Sequence, residues 1–326
     1  LDALTVDDHQ EAGYRWWRDQ PLGISGCGGT LLGLLALGRD NIFDALLASL
    51  PHRVLEADQQ LDLIGGCCGL IGPLLQRGSD PALAMAICAG DHLLAQQQQQ
   101  GGWPDQQKSS GPSLLGFSHG TAGMAAALAR LHAASGEVRF RDAAAAALAY
   151  ERSHFKPKQG NWPDFRQGAD ADAETFMVSW CHGAPGIALG RACLWGTELW
   201  DESCADEIGI ALATTAAMSS LLTDHLCCGS LGLMLIMQKI ATGPWPLTAQ
   251  QRDNALTKAT SYRKQALARC TGGDVRLRCF GTKEGDLMLP GFFTGLSGMG
   301  LALLPTPASQ ALAMNLLSAG LLVPQG

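Results

Sequence analysis

A chain of 326 residues with 47% apolar side chains can bury a sizeable core and is not disordered. Charged residues are only 16%, against ~25% in an ordinary soluble protein, so much of the chain faces inward. The net charge of −7 argues against a nucleic-acid binder held by phosphate contacts, and glycine, at 40 residues or roughly one in eight, exceeds the usual ~7%.

The chain opens LDALTVDDHQ, with no signal-peptide pattern and no initiator Met, which suits a segment of a longer protein. From there one pattern recurs six times: a Gly-x-x-Gly followed by a Leu/Ala/Met-rich run. The pairs are Gly26/Gly29, Gly66/Gly69, Gly120/Gly123, Gly183/Gly186, Gly229/Gly232 and Gly295/Gly298, spaced 40 to 66 residues apart. Such self-similarity signals a repeat architecture, so residues 1–326 are expected to form one domain although the length alone suggests about two. The runs after the pairs (TLLGLLAL, LIGPLLQR, MAAALARLHAA, IALGRACLW, LMLIMQKI and MGLALL) are helix formers with few β-branched residues. Between them lie ASLPHRVLEA, DPALAMAICAGDHLLA, FRDAAAAALAYERS and ADEIGIALATTAAMSSLLTD, also helical in pattern. Residues 96–113 and 156–174 are polar loops, each with a Trp-Pro-Asp element, Trp103-Pro104-Asp105 and Trp162-Pro163-Asp164. These are expected to be turns anchored by a Trp, with a part in substrate binding as the alternative. Residues 287–326 carry no charged side chain, but Pro290, Pro305 and Pro307 interrupt them. No uninterrupted apolar span of ~20 residues exists, so a buried C-terminal segment is expected and no membrane partner.

A helix apolar on all sides is buried. Each repeat therefore pairs a glycine-led inner helix with an amphipathic outer one. The expected fold is all-α, an α/α toroid with six to seven glycine-led inner helices whose N-termini converge on one end.

The 11 cysteines are an odd number in a chain too long to need a disulfide scaffold. Several, such as Cys88 and Cys193, sit in apolar runs, which points to a reducing, cytoplasmic setting. Three glycine pairs have decorated leads: Gly116-Phe117-Ser118-His119-Gly120, Ser179-Trp180-Cys181-His182-Gly183 and Leu226-Cys227-Cys228-Gly229. If the repeats are equivalent, His119, His182 and Cys228 share one slot, and Cys181 and Cys227 sit one place earlier. Three thiols meeting at one end of a toroid make a zinc site. Cys67-Cys68 lies inside its Gly-x-x-Gly, the wrong slot, and is read as packing. Asp224 and His225 are read as a helix end. Arg263, Arg269, Arg276 and Arg278 are the nearest thing to a basic cluster and are assigned no role.

These leads, each followed by x-x-Gly, resemble the lanthipeptide cyclases. More narrowly, SWCHGAPGIALGR and PGFFTGLSGMGLALL resemble the C-terminal cyclase domain of class II lanthipeptide synthetases. Cys227-Cys228-Gly229 departs from that family's usual Cys-His-Gly and resembles the cyanobacterial prochlorosin-type synthetases, whose zinc is held by three cysteines. The resemblance implies an enzyme that adds a peptide Cys thiol across dehydroalanine or dehydrobutyrine to form a thioether ring. It implies Zn2+ on Cys181, Cys227 and Cys228, a dehydrated precursor peptide (leader plus core) as substrate, and a dehydratase domain of the same synthetase as partner. His119 matches the family's catalytic His. Asp62, an acid in an apolar run, matches the family's Asp and is expected to orient His119, to move protons or to cap a helix. His182 is expected to support the ligands or transfer protons. The place where some stand-alone cyclases carry Arg is Met177. Three thiolates make the zinc core more negative than two thiolates and a His, and so a more reactive, less selective thiol activator. The alternatives are a relative that adds glutathione to dehydroamino acids, and a non-catalytic zinc-stabilised toroid that binds peptides. No P-loop pattern is present.

Overall fold

The computed structural model describes residues 14–104, 111–167, 174–219, 221–270, 277–282, 285–287 and 289–322. His9, Asp105 and Arg276 lie outside these residues, as do parts of both polar loops.

Helix α1 covers residues 14–18. After it the chain alternates as the repeats predict. The glycine-led helices are α2 (Cys27–Ala36), α5 (Cys68–Arg77), α7 (Thr121–Ser135), α9 (Ala184–Cys193), α11 (Ser230–Thr242) and α13 (Leu296–Leu303). The intervening helices are α3 (Asp40–Ser49), the single turn α4 (Arg53–Glu56), α6 (Asp80–Gln96), α8 (Val138–Ser153), α10 (Glu202–Ala216), α12 (Ala249–Ala268) and α14 (Pro307–Leu317). A two-stranded hairpin of β1 (Phe280–Thr282) and β2 (Gly285–Leu287) interrupts this pattern.

Successive glycine-led helices pack on each other, α2 on α5, α5 on α7, α7 on α9, α9 on α11 and α11 on α13. Each also packs on the helix that follows it. α7 is buried from Thr121 to Ala129, and α11 from Ser230 to Met237, as all-apolar inner helices must be. α14 joins the two ends. It packs on α13 and α11, and the Gln76 amide of α5 donates to Asn315 Oδ1 (2.7 Å) and Gly320 O (2.8 Å) beyond it. Among the described residues no helix is long and apolar enough to cross a membrane.

The glycine pairs have a steric cause. The second glycine of each pair backs onto a carbonyl five or six residues earlier, and a Cβ there would overlap it. The partners are Ile24, Leu63, Phe117, Trp180, Leu226 and Phe292. At five of the pairs the first glycine is also the residue immediately before the helix. Those five helices therefore begin right after the first glycine rather than after the pair, and α5 begins one residue later, at Cys68. Gly183, with φ +81°, takes a backbone conformation that only glycine adopts freely.

Other boundaries follow local chemistry. Pro51 divides ASLPHRVLEA into α3 and α4. Thr248 and Gln251 form a reciprocal capping box that starts α12, a helix absent from the sequence reading. α10 stops at Ala216, so Asp224 and His225 are not a helix end but part of the turn that leads into α11.

Candidate active site

Hydrogen bonds tie the glycine turns together around one end of the toroid. Ile24 N–H donates to Leu63 O (2.9 Å), and Leu63 N–H donates to Ser118 O (3.1 Å). Trp180 N–H donates to Cys227 O (3.1 Å), and Cys227 N–H donates to Phe293 O (2.9 Å). Trp180 is buried between Phe117, edge-on, and Phe293, stacked at 4.9 Å, and its indole N–H donates to Leu317 O. This frame carries the decorated leads to a common place.

The three lead cysteines meet there. The sulfurs of Cys181, Cys227 and Cys228 all lie within 4.8 Å of one another, with Cys181 to Cys228 at 3.3 Å and Cys228 to Cys227 at 3.4 Å. Ser179 Oγ lies 3.2 Å from Cys181 Sγ and accepts from the His182 N–H, which fixes the turn that presents the thiol. The Cys227-Cys228 turn is fixed from below. The buried Asp224 carboxylate accepts from Arg278, Arg269 and Ser230, and His225 Nδ1 accepts the Cys228 N–H (3.2 Å). Burial pushes the Asp224 carboxyl up, but those hydrogen bonds, Arg278 foremost, hold it below the usual carboxylate value. Arg269 and Arg278 are thus committed to Asp224, and Arg263 to Leu303 O.

Hydrogen bonds from Cys227 and Cys228 pull the Cys181 thiol well down, while the same contacts push its two neighbours up, Cys228 to about 12. Within the cluster the thiolate charge is favoured on Cys181, and a bound dication would favour it on all three sulfurs. Zinc–sulfur bonds of ~2.3 Å in a tetrahedron place sulfurs ~3.8 Å apart, so the donor set and its spacing fit zinc with one position left open. Cys67 and Cys68 are fully buried away from this cluster, and burial raises both thiols.

Asp62 and His119 form a dyad. Asp62 Oδ2 lies 2.6 Å from His119 Nδ1. Its Oδ1 accepts from Gly65 N–H (2.7 Å) and Gly66 N–H (3.3 Å), so one carboxylate both orients the imidazole and holds the glycine turn. A carboxylate only accepts, so Nδ1 carries the hydrogen and Nε2 remains for a ligand. Burial pulls the His119 pKa down, but the hydrogen bond and charge of Asp62 outweigh it and raise it above the ordinary value. His182 is buried, with its ring stacked on that of His119 at a centroid distance of 5.8 Å and its Nδ1 3.9 Å from Asp164. Burial lowers it to about 4, so it is neutral at pH 7 and does not belong to the sulfur cluster.

Asp62 and His119 line a cavity of about 370 Å³ with Gln60, Thr121, Trp103 and Arg166. Both Trp-Pro-Asp tryptophans are buried anchors, Trp103 donating to Leu93 O. Asp164 does more than turn the chain, because it clamps Arg166, the cation of this cavity. Sequence reasoning missed Arg166. Its one signal was its place two residues after a repeated Trp-Pro-Asp.

The family profile for lanthionine synthetase C-like proteins matches residues 23–315. The chain belongs to the lanthionine synthetase C-like family. Thirteen chains of solved structure match it, among them a nisin cyclase, with a TM-score of 0.66, 19% sequence identity, and coverage of 95% of this chain and 85% of that one. At that identity the likeness is one of fold, and it makes this lanthionine synthetase C-like chain an α/α toroid. Nothing among the curated proteins matches.

Proposed function

We propose that this chain is the zinc-dependent cyclase domain of a lanthipeptide synthetase, closing thioether rings in a dehydrated precursor peptide. The observation that carries this reading is a cluster of three thiols together with an Asp62–His119 dyad that lines a polar cavity, the two linked by His182, which follows Cys181 and stacks on His119. Cys181, Cys227 and Cys228 would hold the ion, which supplies Lewis acidity that keeps a peptide thiol, ordinarily of pKa ~8.5, as thiolate at neutral pH.

The chain's own residues manage the proton. Asp62 holds His119 with Nδ1 protonated, and Nε2 takes the proton of the incoming thiol. Sulfur then bonds to Cβ of the dehydro residue, the Cα=Cβ pair shifts towards the carbonyl oxygen, and His119 returns the proton to Cα. Nothing is oxidised or reduced, and His119 ends as it began. His182, neutral and buried, packs the His119 ring in place.

The three-cysteine ligand set and the wording of the leads favour a class II, prochlorosin-type synthetase. A dehydratase domain of the same synthetase would then supply the dehydrated core, delivered with its leader peptide. Ring closure leaves peptide mass unchanged but removes a thiol, so alkylation followed by mass spectrometry reads it directly. Wild type is expected to protect the thiols of a dehydrated peptide, and His119→Ala to do so ~10²–10⁴-fold more slowly. Wild type that protects no thiol above the uncatalysed background overturns the proposal.

A further inference from the structure

Addition to a dehydroamino acid sends an electron pair to the substrate's carbonyl oxygen, and that developing charge needs a fixed donor. Among the residues that line the cavity, Arg166 is the one permanent cation. Its guanidinium is held from behind. Nε donates to Asp164 Oδ1 (3.0 Å), Nη2 donates to Asp164 Oδ2 (2.6 Å), and the Arg166 backbone N–H donates to Asp164 Oδ1 (3.1 Å). Asp164 is itself buried, with a side chain 5% exposed, so the clamp is built into the protein rather than formed at the surface. Nη2 also rests on the sulfur of Met177. Nη1 has no hydrogen-bond partner among the described residues, and the Arg166 side chain is 43% exposed. On the same wall the Thr121 hydroxyl is buried without a partner among the described residues. His119 and Arg166 thus border one space, a second donor stands unused beside them, and the neighbouring thiols are close enough for their charge to act on the guanidinium.

Resting on the cyclase reading, we propose that Arg166 is a catalytic residue whose free guanidinium edge binds the carbonyl oxygen of the dehydroamino acid and takes the charge that arrives there, while Asp164 is its positioning residue. The step balances: the sulfur–Cβ bond forms, the Cα=Cβ π bond breaks, its pair rests on the oxygen facing Arg166, and the proton held by His119 then arrives at Cα. The guanidinium reaches the Met177 sulfur beside the point where Pro163 and Phe176 pair.

The test uses the protein with a synthetic peptide bearing one dehydrobutyrine and one cysteine, a pairing with a slow uncatalysed background. Arg166→Ala is expected to slow single-turnover ring closure ~10²–10³-fold, the usual loss for one oxyanion donor. The same variant should bind a serine-for-cysteine version of the peptide, which cannot close, within threefold of wild type, and should keep wild-type metal content and circular dichroism. Arg166→Lys keeps the charge but loses the fork and should recover only part of the rate. Asp164→Asn should slow closure with binding unchanged. Arg166→Ala/Met177→Arg, which returns a guanidinium on the side chain that Arg166 touches, should regain rate over Arg166→Ala. Ring closure by Arg166→Ala within threefold of an active wild type overturns the assignment, as does a loss of rate matched by an equal loss of peptide binding or of metal. An inactive wild type sinks the cyclase reading itself, and the assignment with it.

Discussion

Asp62 divides its two oxygens between different tasks, and the division is testable. Oδ1 fixes the Gly65-Gly66 turn and Oδ2 holds His119. Without the carboxylate charge, burial and the Arg166 charge disfavour the charged imidazole, and only the weaker pull of Cys181 still favours it. In Asp62→Asn the His119 pKa should therefore fall below its wild-type value, which NMR titration of the ring follows residue by residue. An unchanged titration would show that Asp62 does not govern this proton. An acid in the apolar run Leu61-Asp62-Leu63-Ile64 is costly unless paired, so the sequence marked Asp62 as needing a partner, and the family resemblance pointed to orienting His119 as one of its possible roles. Arg166 was not legible. Its cavity is assembled from positions as far apart as Gln60 and Arg166, and no local pattern marks a cation whose partner is brought by folding.

At the scale of the helix, the glycine-led turn is the unit from which the site is built. The second glycine of each pair is required by the carbonyl it backs onto, which is why six pairs stood out in the sequence. Gly232→Ala would drive a methyl into the Leu226 carbonyl, next to Cys227 and Cys228. It should lower the unfolding midpoint and cost metal content together. Gly33→Ala, within α2 where nothing lies within 4 Å of the added methyl, should be neutral or stabilise by up to ~1 kcal/mol, since alanine suits a helix interior better. Thermal unfolding of both variants checks the contrast, and equal effects would contradict the steric account. Elements without this signature were harder to see. β1 and β2 are three residues each, too short to establish a period of two. α12 carried its Thr248/Gln251 capping box in plain view, but a polar helix without a glycine lead stands outside the repeat. Asp224 was misread because ADEIGIALATTAAMSSLLTD continues a helix-forming composition well beyond Ala216, where the helix ends.

In the whole molecule, the ring of helices brings residues from positions 62 to 228 to one end, and the sulfur cluster is the most specific feature that results. The outer helices are joined to that frame by ions as well as apolar contacts. The fully buried Arg191, in the last turn of α9, bonds to Glu151 of α8 and Glu207 of α10. The ring and its six glycine-led members were readable from the repeated glycine pairs and the apolar, helix-forming runs that follow them. The way it closes was not, because α14 has neither a glycine lead nor a charged residue to mark which surface it meets. The account depends most on what the three cysteines hold. The deciding measurement is zinc per chain in wild type, Cys181→Ala and Cys228→Ala, each confirmed folded by circular dichroism. One zinc in wild type, lost in both variants, is the predicted result. A folded wild type that binds no zinc would contradict the account, leaving a toroid whose three thiols have no activator to offer.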